Sequence, residues 1–148
     1  MSDTDTGLRI LHVEDDANDA FLVGHAFRKE APQVRVAVVT DGREAQEYLA
    51  GKGRHLGTET PDLVLMDLKL PRMTGLEVLE WMKSQAELRT VPVFILSSSS
   101  EKSDVERAHA LGANGYFPKQ GTIQGLIEIV RALMVFAGKR SESRIANS

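Results

Sequence analysis

Residues 62–79 read DLVLMDLKLPRMTGLEVL. Leu63–Met66 is a continuous apolar run of strand length, as expected of a strand covered on both faces. It stops at one carboxylate, Asp67, and Thr74–Ser84 then carries Leu76, Leu79 and Met82 in helical register. The stretch is a strand, an acidic turn and a helix, and the same unit recurs on either side. Upstream, Leu8–Val13 (LRILHV) ends in Glu14-Asp15-Asp16, and Ala17–Arg28 follows as a helix with Ala20, Val23 and Phe27 on one face. Val34–Val39 (VRVAVV) lies between Pro32 and the turn Thr40-Asp41-Gly42, which caps a helix over Arg43–Leu49. GKGRHLGTETP, residues 51–61, reads as a polar, mobile loop.

Downstream, Val91–Leu96 runs into four serines, Ser97–Ser100. Ser103–Leu111 is a helix closed by Gly112, Tyr116-Phe117 marks a short strand, and Ile123–Ala137 is the last helix. A strict (βα)₅ alternation predicts an α/β fold: a doubly wound, five-stranded parallel sheet of order 2-1-3-4-5, flavodoxin-like, with right-handed crossovers. One domain over 8–137 accounts for the pattern, with 1–7 and 138–148 as polar tails, the second frayed.

Bulk properties narrow the function by exclusion. The 148 residues are 42% hydrophobic and 26% charged, with net charge −3, which is ordinary globular usage and offers no basic surface for nucleic acid. With no cysteine, disulfides and thiolate chemistry are excluded. No apolar run approaches the roughly 20 residues needed to span a bilayer, and MSDTDTG is no signal peptide. A cytoplasmic protein with no membrane contact is expected.

The chemistry-bearing residues all follow strands. Glu14 and Asp15 follow the first, Asp67 the third, Ser97 the fourth and Lys119 the fifth, so a parallel sheet gathers them on one edge. Carboxylates packed together repel one another, and a hard divalent cation relieves that repulsion. Mg²⁺ takes one or two carboxylates, waters and a phosphate oxygen, whereas no histidine or cysteine cluster favours zinc. An Asp so placed can attack phosphorus and form an acyl phosphate. Lys119 and the cation would neutralise the transferred group, Ser97 would donate to it, and small Ser98 leaves it room. Each residue also has an ordinary reading: Asp67 as a turn cap, Asp15 or Asp16 as a helix cap, Ser97–Ser100 as a turn, Lys119 as a solvated surface charge. Asp16 suits the cap better than the site.

The motifs VEDD (13–16), DLVLMDLKLPRMTGLEVL (62–79), VPVFILSSSS (91–100) and GANGYFPK (112–119) resemble those of response-regulator receiver domains of two-component signalling. The likeness covers nearly all of 8–137. It implies phosphorelay signalling with Asp67 as phosphoacceptor from a sensor histidine kinase. It further implies Glu14 and Asp15 as the acid pair, Asp15 and the Lys69 backbone carbonyl on Mg²⁺, Ser97 and Lys119 on the phosphoryl group, and Tyr116 switching with Ser97. Within the family the chain resembles the small type without an output domain that serves phytochrome-like or hybrid kinases. Such a domain accepts and slowly loses phosphate but is no turnover enzyme. The alternatives are an aspartyl-phosphate phosphohydrolase, which would need a second acid where Lys69 stands, and a phosphorylation-independent pseudo-receiver, disfavoured by the filled site.

One feature departs from the family pattern, and a second bears on the site. Gln120 stands where a cis proline usually follows the lysine, which leaves a trans peptide with a rearranged loop or a strained cis one. Lys69 offers a cation that could pair with the acid pocket. Of the four histidines, His12 reads as a packed strand residue, and none clusters. The last helix carries one apolar stripe, Ile123, Leu126, Ile127, Val130 and Met134, and a displaced second one, Ile129, Leu133 and Phe136. The second stripe predicts a homodimer contact, with deeper burial in the monomer as the alternative.

Overall fold

Five short β-rich segments pair in register to make the sheet: β1 (Arg9–Val13), β2 (Arg35–Val39), β3 (Leu63–Met66), β4 (Val93–Ser97) and β5 (Gly115–Pro118). The computed structural model describes residues 7–146, and the side chains of all of these except 54 and 142–146. The strands are parallel in the order β2-β1-β3-β4-β5, as the alternation predicts. Between and after them lie α1 (Ala17–Glu30), α2 (Gly42–Ala50), α3 (Gly75–Ser84), α4 (Lys102–Ala110) and α5 (Ile123–Ala146).

Period-two alternation divides the core between two faces. Leu11, Val13, Val64, Met66, Val93 and Ile95 pack with Leu49, Val78, Leu79, Met82 and Ala108 of α2, α3 and α4. Ile10, Leu63, Leu65, Phe94 and Leu96 pack with Val23, Phe27, Leu126, Val130 and Leu133 of α1 and α5. Every residue of β3 is buried, which explains its unbroken apolar sequence. The register aligns Val13 with both Val39 and Met66, and Met66 with Ile95. The residues that follow these positions therefore leave the sheet at one edge.

Local chemistry fixes the helix starts. Asp16 Oδ1 accepts the Asp19 N–H at 2.9 Å, and Asp41 Oδ1 accepts the Glu44 N–H at 2.7 Å. Thr74 and Glu77 form a reciprocal capping box at α3. Gly112, just past α4, has φ +97, the left-handed conformation expected of a helix stop.

Three expectations need correction. The last helix runs to Ala146 rather than Ala137, because KRSESRIA contains no helix breaker and its polarity was no sign of fraying. Arg140 also donates to the Thr90 carbonyl at 2.8 Å. Residues 1–6 and 147–148 of the expected tails lie outside the described residues. Second, Ile129 and Leu133 are buried, and Phe136 meets Phe94 edge-on at 4.9 Å. Both stripes of α5 join the same core cluster, with Ile129 and Leu133 buried and Phe136 half-buried, so the second stripe is not the exposed apolar surface on which a homodimer contact was expected. Third, the 51–61 segment is pinned: Thr58 Oγ1 donates to the Tyr48 carbonyl at 3.1 Å, and His55 Nε2 lies 3.1 Å from Glu44 Oε2. A short 3₁₀ turn, Gly53–His55, sets that contact.

Candidate functional site: an acid pocket bridged by one lysine

Asp67 leaves β3 with its N–H bonded to the Val13 carbonyl at 3.1 Å, so the turn carrying it is tied to β1. Its side chain is buried, and Oδ1 accepts the Lys69 N–H at 3.2 Å. Gly75 lets α3 begin directly beneath: a Cβ there would stand 2.2 Å from the Asp67 carbonyl oxygen. Glu14 leaves β1 beside it with 1% exposure, its N–H bonded to the Val39 carbonyl at 2.9 Å. Asp15 follows, exposed at the mouth.

Lys119 reaches this pocket from the end of β5. Its N–H donates to the Ser97 carbonyl at 3.0 Å, which continues the β4–β5 ladder past the strand. The described backbone contains no cis peptide, so the Lys119–Gln120 bond is trans. Gln120 Nε2 folds back to the Pro118 carbonyl at 2.9 Å. The ammonium lies 2.8 Å from Asp67 Oδ2, 2.8 Å from Asp19 Oδ2 and 3.0 Å from Glu14 Oε1. Lys69, the other candidate partner of the acids, is exposed, and Lys119 fills that role instead.

The electrostatics follow from burial and pairing. Burial alone would lower the Lys119 pKa, but hydrogen bonds to Asp19, Asp67 and Glu14 outweigh it and hold the ammonium charged well above its ordinary range. Burial pushes the Glu14 carboxyl up, against the pull of the Asp16 N–H and Lys119. His12, buried in β1, is pushed down to about 4, first by burial and then by Lys119, and is a neutral packing residue as expected.

Glu14, Asp15 and Asp67 each offer a carboxylate oxygen, all within 4.8 Å of one another. Glu14 Oε1 is buried and accepts no hydrogen bond, although the ammonium stands 3.0 Å away. An all-oxygen set with an unsatisfied buried acceptor fits a hard divalent cation. Ser97 is fully buried, its Oγ accepting the Ser99 N–H at 3.2 Å, and Tyr116 Oη donates to the Ser99 carbonyl at 2.9 Å. Glu14, Asp15, Asp67 and Lys119 thus meet on one edge, and Ser97 and Tyr116 are joined to each other through Ser99. The sequence reading missed Asp19, in the first turn of α1 three residues after its cap Asp16; that place beside the acidic cluster was the available signal.

A doubly wound α/β domain with three carboxylates, a hydroxyl and a bridging lysine on its carboxyl edge has the build of a phosphoacceptor signalling domain. The chain belongs to the response regulator receiver domain family, which it matches over residues 10–131. It is 31% identical over 127 residues to response regulator Rcp1 of Synechocystis sp., covering 86% of each chain. The phosphorylated cyanobacterial phytochrome response regulator RcpA superposes with TM-score 0.82 at 35% identity, over 88% of this chain and 93% of that one. The Mn²⁺-bound form of Rcp1 superposes with TM-score 0.79 at 30% identity, over 87% and 93%. This is a phosphorelay signalling protein of the two-component type, a class that works by switching rather than by turnover. Among the described residues, no helix is long and apolar enough to cross a membrane.

Proposed function

We propose that Asp67 accepts a phosphoryl group from a phosphohistidine of a sensor kinase, in a site that binds Mg²⁺ through Glu14, Asp15, Asp67 and the Lys69 backbone carbonyl. The observation that carries this reading is the buried Asp67 carboxylate, clustered with two acids and held 2.8 Å from the Lys119 ammonium. An Asp67 oxygen forms the P–O bond while the P–N bond breaks, and the departing imidazole keeps the electron pair and takes up a proton. Bound Mg²⁺ supplies charge neutralisation at the phosphoryl oxygens. Lys119 supplies a second positive charge and Ser97 a hydrogen-bond donor, since its Oγ accepts from the Ser99 N–H and keeps its own proton to give.

Tyr116 shares Ser99 with Ser97 and follows it as the switch. Slow loss of the phosphoryl group to water resets the domain, which we take to run from residue 8 to the end of α5 at Ala146. A phytochrome-like or hybrid kinase is the donor that suits the likeness to phytochrome response regulators, and its ATP-fed phosphohistidine would place the exchange in the cytoplasm. A hydrolase would need a second acid two residues after Asp67, where Lys69 stands with its side chain exposed.

Incubation with a small acyl-phosphate donor and Mg²⁺, followed by intact mass, tests the reading. One phosphoryl adduct is expected, lost with chelator and absent from Asp67→Asn. A fully modified Asp67→Asn protein would refute the assignment.

A further inference from the structure

Asp19 holds the Lys119 ammonium at 2.8 Å, yet among the described residues it lies outside the carboxylate cluster of Glu14, Asp15 and Asp67. We infer that Asp19 is a positioning residue that draws Lys119 off the acid pocket as a divalent cation enters it. The inference rests on the reading of Glu14, Asp15 and Asp67 as cation ligands. An ammonium has three N–H donors, and here they are divided among Glu14 Oε2 at 3.2 Å, Asp67 Oδ2 at 2.8 Å and Asp19 Oδ2 at 2.8 Å. The ammonium therefore stands against the same two carboxylates that a cation on Glu14 and Asp67 uses, and the two positive charges repel.

Asp19 is the acceptor that remains. Its side chain is 36% exposed, against 1% for Glu14 and 7% for Asp67, so it marks the solvent side of the ammonium. The Lys119 backbone is fixed by its bond to the Ser97 carbonyl, and only the side chain has to swing outward. A cation shared among three acceptors interacts more fully with the one that is left. Asp19 thus attracts Lys119 more strongly in the loaded state than in the empty one, and only such a difference can shift the loading equilibrium. The gap beside them is small and lined by Leu22, Val23, Leu96 and Leu126, which keeps the ammonium from retreating beneath the pocket.

Calorimetric titration of Mg²⁺ into four proteins tests this: the wild type, Asp19→Asn, Lys119→Met and the double variant. Removing a nearby negative charge weakens Mg²⁺ binding in either background. The coupling to Lys119 adds a further loss of about three- to fivefold where Lys119 is present, the scale of a partly exposed ion pair. Equal losses in the two backgrounds, or a larger loss in the Lys119→Met background than with Lys119 in place, overturn the role of Asp19 and leave the cation site standing. A wild type that binds no Mg²⁺ overturns the cation reading and this inference with it.

Discussion

Lys119→Met removes the only positive charge that the described structure shows inside the pocket, and its cost can be worked from the contacts. Three carboxylates lose their shared partner, two of them nearly inaccessible to water, with 1% and 7% side-chain exposure. Breaking a fully buried pair costs about 3–5 kcal/mol. Lys119 keeps 20% exposure and Asp19 36%, so solvent screening reduces the expectation to about 2 kcal/mol. The apo variant should therefore unfold at lower urea concentration than the wild type with an unchanged slope, which reports lost stability rather than a changed unfolded state. Mg²⁺ should return more stability to the variant than to the wild type, since the cation then meets uncompensated acids and has no ammonium to displace. By linkage the same difference appears as tighter Mg²⁺ binding. The assay is urea denaturation in chelator and in saturating Mg²⁺ at neutral pH. An unchanged midpoint in chelator, or equal stabilisation of both proteins by Mg²⁺, refutes the reasoning.

Leu133→Ala, at the fully buried position of the second α5 stripe, should cost about 2–5 kcal/mol by denaturation and leave the sedimentation behaviour of the folded protein unchanged. Gly75→Ala forces a Cβ to within 2.2 Å of the Asp67 carbonyl, so it should cost about 1–3 kcal/mol and also slow phosphoryl adduct formation followed by intact mass. Asp41→Ala removes the α2 cap and should cost about 1 kcal/mol near neutral pH. Burial pushes the Asp41 carboxyl up, but bonds from the Glu44 N–H, Arg72 and the Arg43 N–H outweigh it and hold the pKa below its ordinary value. The Asp41 contribution is therefore present above about pH 4 and lost as pH falls through the depressed pKa, so wild type and variant should converge in acid denaturation curves.

The sheet and the site were legible because both depend on one-dimensional order. Each strand ends in an apolar-to-polar break, and a parallel sheet puts all such breaks on one edge; Glu14, Asp67, Ser97 and Lys119 needed nothing more. What escaped depends on partners remote in sequence. Asp19 looks like an ordinary acid in the first turn of a helix until Lys119 arrives from a hundred residues away. Ile129 and Leu133 looked surplus because one helix face was matched to one neighbour, whereas α5 lies in the groove between α1 and the sheet. Polarity misled twice, at 138–146 and at 51–61, where helix propensity and the His55 and Thr58 bonds supply order in mostly polar sequence.

Ser99 ties the pocket to the surface in a way that bears on how a signal leaves it. Its N–H goes to Ser97 Oγ, its carbonyl to Tyr116 Oη, and its own hydroxyl to Asp104 Oδ2 at 2.6 Å in the first turn of α4. One residue thus acts as a three-way junction between the pocket floor, the last strand and a surface helix. Ser99 therefore feels any shift of Ser97 through this bond, while its other bonds run to Tyr116 and Asp104. Ser97, β5 and α4 are thus joined by polar bonds through a single residue, apart from the packed core.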